Sequence, residues 1–212
     1  MELPLFPLHL VLFPQSTLPL QVFEPRYRAM MERVLATDRT LGIVAIHRGM
    51  EVGGPAETHS VGCAGEVTQV QRAPDGTMQV LIEGRGRFKI VTRFPDDPYP
   101  MAVVESLEET EGDDAADAIP AARAATRRYL SVVAQLHGVD VAVPHIPDDA
   151  VEASFIIAGA LQLDLPQRQQ LLECPDAATR LRLATELARR EALLLEAVGP
   201  SVGRPRDRVS PN

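Results

Sequence analysis

The sequence predicts an α+β protein: a strand-rich N-terminal lobe with one early helix, then a C-terminal α-helical bundle. Three observations predict it. The first half of the 212-residue chain carries short β-branched or alternating segments bounded by Pro and Gly. The second half changes to helical spacing, and its almost wholly apolar stretch 154–161 belongs at the centre of a bundle. Between them, Glu105 to Asp117 holds seven acids and no base, which marks a solvated boundary. The expected division is a β lobe over residues 1–110, a helical lobe over 111–199 and a disordered tail over 200–212, the two lobes packing as one unit.

Each element has its own signal. Residues 3–6 and 18–22 are apolar runs flanked by Pro and read as strands. Glu24-Pro25-Arg26 opens a helix reaching about Ala36, with Pro in the first turn and Tyr27, Met30 and Val34 on one face. Strands follow at 41–47, 61–72, 77–83, 87–94 and 101–107. Pro74-Asp75-Gly76 is a turn, and Gly84-Arg85-Gly86 is expected to break the next pair. Beyond the acidic run, 115–136 reads as one helix, and Asp148 or Asp149 caps the next. Residues 166–173 form a short helix. Asp176 then caps a long one, with Leu183, Leu187, Leu194 and Val198 as its apolar stripe and Gly199-Pro200 as its stop. No internal repeat is visible.

Composition excludes several chemistries. The formal net charge is -8, shared by both halves, which argues against nucleic acid as a partner. Lys89 is the single lysine. It follows Phe88, so no Gly-Lys-Ser/Thr phosphate loop exists, and a Ser–Lys dyad would have to use a residue inside a strand-like run. Cys63 and Cys174 form no CxxC, which suits a reducing cytoplasm. From Leu3 to Phe23 no residue carries a full charge, but Pro4, Pro7, Pro14 and Pro19 break any spanning helix. A basic leader region is missing as well, the first positive side chain being Arg26. A membrane role is therefore not expected.

One resemblance carries further. Leu3-Pro4-Leu5-Phe6-Pro7-Leu8, continuing through Val11-Leu12-Phe13-Pro14, Leu18-Pro19-Leu20 and Val22-Phe23-Glu24-Pro25-Arg26-Tyr27, resembles the opening signature of the Lon protease N-terminal domain. Gln169-Gln170-Leu171-Leu172-Glu173, with Pro175-Asp176 and Arg180-Leu181, is similar to a helical turn of the same domain, and Gly84-Arg85-Gly86-Arg87-Phe88 adds a weaker match. The resemblance implies a PUA-like β pseudo-barrel followed by a helical bundle. It implies a substrate-binding module that captures unfolded or damaged polypeptide, or docks on a protein partner, and it admits a homo-oligomer. A full Lon continues into an ATPase and a protease. Here Gly199-Pro200 ends the last helix, so a stand-alone, non-enzymatic form is expected.

The candidate binding residues are Glu24, Arg26, Tyr27, Arg85 and Arg87. Glu24 and Arg26 read as a partly buried ion pair fixing the first helix, or as ligand contacts. Arg85, Arg87, Lys89 and Arg93 fall on one strand face by alternation, read as solvated cations paired with nearby acids, or else as an RNA contact. RNA binding through the PUA-like lobe is thus the alternative function. Phe13, Phe23, Tyr27 and Phe88 read as core. Gly84-x-Gly86 lacks the third Gly and the context of a dinucleotide loop, so no cofactor is expected. His47 and His59 could meet across a loop with Glu51 or Glu57, but they read as surface histidines and no metal is expected. No catalytic residue is assigned.

Overall fold

The computed structural model describes residues 1–51, 56–95 and 98–198; the expectation for the tail at 200–212 lies outside them. In chain order the first lobe contains β1 (Glu2–Leu8), β2 (Thr17–Val22), α1 (Pro25–Ala36), β3 (Thr40–Gly49), β4 (Ala56–Thr58), β5 (Val61–Arg72), β6 (Met78–Arg93) and β7 (Met101–Ser106). The second contains α2 (Ala115–His137), α3 (Ala150–Ala160), α4 (Leu165–Glu173) and α5 (Ala177–Val198). Strand order β1-β7-β6-β5-β3, closed by the parallel pairing of β1 with β3, makes a ring, the expected pseudo-barrel. β2 lies outside this path and pairs with the first half of β6 alone.

The barrel closes on two apolar clusters. One gathers Phe6, Leu8, Ile43, Val67, Val80 and Ile82, and α1 lays Tyr27, Met30, Met31 and Val34 against it. Full burial of each such side chain is worth roughly 1.5–3 kcal/mol, which is why a 12-residue helix without a side-chain cap holds its place. The other cluster centres on Phe88 among Leu3, Leu5, Val44, Ala102 and Val104.

The structure changes four expectations. First, Gly84-Arg85-Gly86 does not break the strand. β6 runs through it, and a register shift sets Ala64 opposite Gly86 and Gly65 opposite Gly84, leaving Arg85 as the bulged residue. Gly84 is needed because the Phe13 carbonyl oxygen occupies the place a Cβ would take. Second, Phe23 is not core but 54% exposed. Third, the buried stripe of α5 is Ala177, Ala178, Leu181, Ala184, Leu187, Ala188 and Ala192; of the expected stripe Leu187 is buried and Leu183 partly so, whereas Leu194 is exposed, and the alanines let α2 and α3 approach closely. Fourth, Arg87 is buried, as described below. Asp149, not Asp148, caps α3, accepting from the Glu152 N–H at 2.8 Å.

The lobes share one core. Val11, Phe13 and Ala45 of the β lobe join Phe155, Ile157, Leu171 and Leu181 of the helices in a single cluster.

Candidate functional site

Two places bring the predicted residues together. At the first, the chain leaves β2 and enters α1. Pro25 forces a turn at the helix start, so the side chains of residues 22 to 27 fan out in different directions. Val22 points into the core and Tyr27, 3% exposed, stacks on Phe6 with ring centroids 4.3 Å apart. Arg26 Nε donates to Glu24 Oε2 at 3.2 Å, and the guanidinium lies over the Tyr27 ring at 4.5 Å. Glu24, Arg26 and Tyr27 therefore hold one another and the helix start, leaving Phe23 as the side chain this corner offers to solvent. Two residues earlier in the chain, at Gln21, the outer face of β2, β6 and β5 forms a groove of about 390 Å³. Pro19, Leu20 and Leu81 line it together with Gln21, Gln69 and Gln79. Gln21 and Gln79 are direct cross-strand partners, as are Gln79 and Gln71, so uncharged amides run across the face in register. β2 is also an edge strand, paired on one side only, with Pro19 in its middle.

At the second place, the bulge separates Arg85 from Arg87. Arg85 is exposed, and donates to Glu66 at 2.9 Å and Glu83 at 2.8 Å, as expected of a solvated strand face. Arg87, 3% exposed, instead enters the seam between the lobes. Its Nε and Nη2 grip Glu109 at 2.5 and 2.9 Å, while Nη1 donates to the carbonyls of Leu172 and Cys174, both at 2.7 Å. Alternation could not show this, because the bulge puts an extra residue between Gly84 and Gly86 and interrupts the alternation that would set Arg85 and Arg87 on one face.

Arg180 completes the seam, and the sequence reading missed it as a functional position. It is fully buried, 3.9 Å above the Phe155 ring, and donates to Leu171 O at 3.0 Å, to Ser154 Oγ at 2.8 Å and to Cys174 O at 3.3 Å. Its Nη2 stands 3.5 Å from Glu109. Burial, with the neighbouring Arg87 charge adding to it, holds its pKa down at about 10, so it remains a cation at neutral pH. A charged residue inside the run Ala177, Ala178, Leu181, Ala184 was the available signal, since a cation on an apolar helix stripe needs a built partner. The seam is thus filled with fixed charge, and no open interlobe cleft exists at this point. Arg168 ties the same seam from another side, donating to Leu161 O and Val11 O at 2.9 and 3.2 Å.

The thiols offer no nucleophile. Burial pushes Cys63 up to about 12 and raises Cys174 as well, so both stay protonated at neutral pH. His47 and His59 do meet, with ring centroids 5.4 Å apart, but the carboxylate beside them is Glu173 of α4 rather than Glu51 or Glu57. Among the described residues, no helix is long and apolar enough to cross a membrane.

Comparison with known proteins agrees with this architecture. The family model for the ATP-dependent protease La (LON) substrate-binding domain matches residues 2–190. Lon protease 2 of Herpetosiphon aurantiacus is 31% identical over 201 residues, covering 92% of this chain and 24% of that protein. Lon protease 2 of Sorangium cellulosum is likewise 31% identical, over 92% of this chain and 25% of its own length. The chain thus spans about a quarter of these curated relatives. The crystal structure of a Lon N-terminal domain protein from Xanthomonas campestris superposes with a TM-score of 0.65 at 25% identity, covering 86% of this chain and 95% of that one. The N-terminal domain of a Mycobacterium avium complex Lon protease superposes with a TM-score of 0.64 at 18% identity, which shows the shared fold.

Proposed function

Since the chain belongs to the substrate-binding domain family of ATP-dependent protease La (LON), we propose that it is a non-catalytic module holding unfolded or damaged polypeptide at the β2 rim. A protein partner presenting an apolar segment would use the same surface. The observation that carries this reading is Phe23: a large aromatic side chain, 54% exposed, two residues along the chain from Gln21 in the lining of a groove without charged side chains. An exposed aromatic beside a groove favours an apolar anchor. The glutamine amides both donate and accept hydrogen bonds, so they satisfy the peptide groups of an extended chain in any sequence. Neither feature selects a charge, as suits a binder of varied polypeptides.

RNA binding is the weaker reading, although Lys89 and Arg93 on the same strand are exposed. Of the cations expected on one face, Arg85 is paired with two acids and Arg87 is sealed in the seam. Phosphate-driven binding needs accessible cations and falls steeply with salt.

The test is a titration of chemically unfolded and folded forms of one polypeptide, and of RNA, at two salt concentrations. Unfolded polypeptide is expected to bind better than folded, and to survive moderate salt. Phe23→Ser should weaken that binding at least about fivefold, since the lost burial of one such side chain is worth roughly 1.5–3 kcal/mol. Unchanged affinity in Phe23→Ser, or retention of RNA alone, would sink the proposal.

A further inference from the structure

A second cluster lies at the seam, away from the rim. His47 ends the buried part of β3, His59 precedes β5, and Glu173 closes α4. The two imidazoles stand 5.4 Å apart between centroids, at 61° to one another. His59 Nδ1 faces Glu173 Oε1 at 3.6 Å, beyond a good hydrogen bond. Gln169, one turn earlier on α4, donates Nε2 to the same oxygen at 2.7 Å and to Val61 O at 3.1 Å. All four side chains line a groove of about 390 Å³ between the lobes.

We propose that His47, His59 and Glu173 bind a divalent transition-metal ion of the zinc class, bridging the β lobe and α4. In a tetrahedral centre with metal–ligand bonds of about 2.0–2.2 Å, ligand atoms stand about 3.4 Å apart, and two coordinating imidazoles have centroids about 5 Å apart. The His59–Glu173 separation of 3.6 Å and the His47–His59 separation of 5.4 Å sit close to both values. Among the described residues no three His, Cys, Asp or Glu side chains already converge on one point. This set closes by turning His47, which is exposed.

Gln169 supplies an independent sign of a missing ligand. It is 2% exposed, and its Oε1 is buried without a hydrogen-bond partner. Its amide orientation is set, because Nε2 already serves two acceptors. A buried acceptor without a donor is costly, and a water on the ion's fourth position would provide that donor once the Gln169 side chain shifts towards the groove as the ion seats. Two imidazoles with one carboxylate suit Zn²⁺, Ni²⁺ or Cu²⁺ and disfavour Ca²⁺ and Mg²⁺, which take oxygen ligands. An ion held from both lobes would also stabilise their union, since it binds the folded chain alone.

The experiment is a Zn²⁺ titration of the full chain, free of any histidine tag and stripped with chelator, followed by calorimetry and thermal melting. One ion per chain and a raised melting temperature are expected, with Mg²⁺ giving neither. His47→Ala, at an exposed position, and His59→Gln should each weaken binding at least about tenfold, whereas His145→Ala should leave it unchanged. Circular dichroism of His47→Ala establishes that the fold persists. No saturation up to about 100 μM Zn²⁺ overturns the proposal, as does stoichiometric binding that survives in the His47→Ala/His59→Gln double variant.

Discussion

The seam between the lobes and the β2 rim lie on the same barrel and have opposite chemistry. At the seam two guanidinium groups, 0% and 3% exposed, share Glu109 and are saturated by backbone carbonyls. At the rim an aromatic ring and a strand edge face water, and among the described residues no charged side chain lines the glutamine groove. Buried charge needs its partners in fixed positions, so the arginine cluster of the seam serves to hold the molecule together. Uncharged amides and an exposed ring tolerate many geometries, so the rim is free to take a changing partner. The strongest interactions of this chain are internal, and the proposed contact surface is the part with few of them.

Removing Arg180 should break that contrast most severely. Arg180→Ala leaves Ser154 and the Leu171 and Cys174 carbonyls facing a cavity, and takes one of two cations from Glu109. Losing one member of a buried charge network costs about 3–5 kcal/mol. Urea unfolding of Arg180→Ala should show that loss, with both lobes destabilised together because they share a core. Phe23→Ser, by contrast, should shift the unfolding free energy by no more than about 0.5 kcal/mol, as exposed positions do. Equal effects at the two sites would erase the distinction.

The sequence was informative wherever a local pattern decides the outcome. The helix starts at Pro25 and near Asp149, the strands of the barrel and the apolar α3 are all set by spacing and caps. It was silent where one lobe covers the other. Arg85 and Arg87 look alike as letters, and only the bulge opposite Ala64 and Gly65 sends one to water and the other inward. Phe23 misled for the converse reason: an aromatic residue normally reads as core, and Pro25 turns the chain before this one can enter. Arg180 was visible as part of a motif but not as the fully buried side chain of the seam.

A smaller effect tests what supports the seam. Asp176 sits one turn before Arg180 and caps α5, accepting from the Thr179 N–H at 2.7 Å. That backbone hydrogen bond holds its carboxyl below the usual carboxylate range. A depressed folded pKa means stability that is present above the unfolded value of about 3.9 and lost as pH falls through the folded one. Asp176→Ala should cost about 1 kcal/mol at pH 7. The gap from the parent chain should close below about pH 4, measured as unfolding free energy against pH. A gap that stayed constant into acid would mean that the carboxylate charge contributes nothing at the cap.

The smallest effect is expected at Arg85, and it separates the two arginines most directly. Arg85 pairs with Glu66 and Glu83 on an exposed face, with about half of its side chain in water. Exposed pairs contribute only about 0.2–1 kcal/mol, because solvent screens the attraction and two long side chains lose freedom to make it. Arg85→Gln keeps a polar side chain at the bulge without setting a new acid beside Glu66 and Glu83, as Glu would. Unfolding should therefore shift by less than about 1 kcal/mol. Arg87→Gln, two residues on, should approach the loss expected for Arg180→Ala, since it strips Glu109 of its bidentate partner inside the seam. Retention of unfolded polypeptide by Arg85→Gln should match the parent chain, because neither the groove at Gln79 nor Phe23 involves that charge. If Arg85→Gln instead abolished binding while leaving stability intact, the contact surface would lie on the charged face of β6, and the division of labour between rim and seam would have to be redrawn.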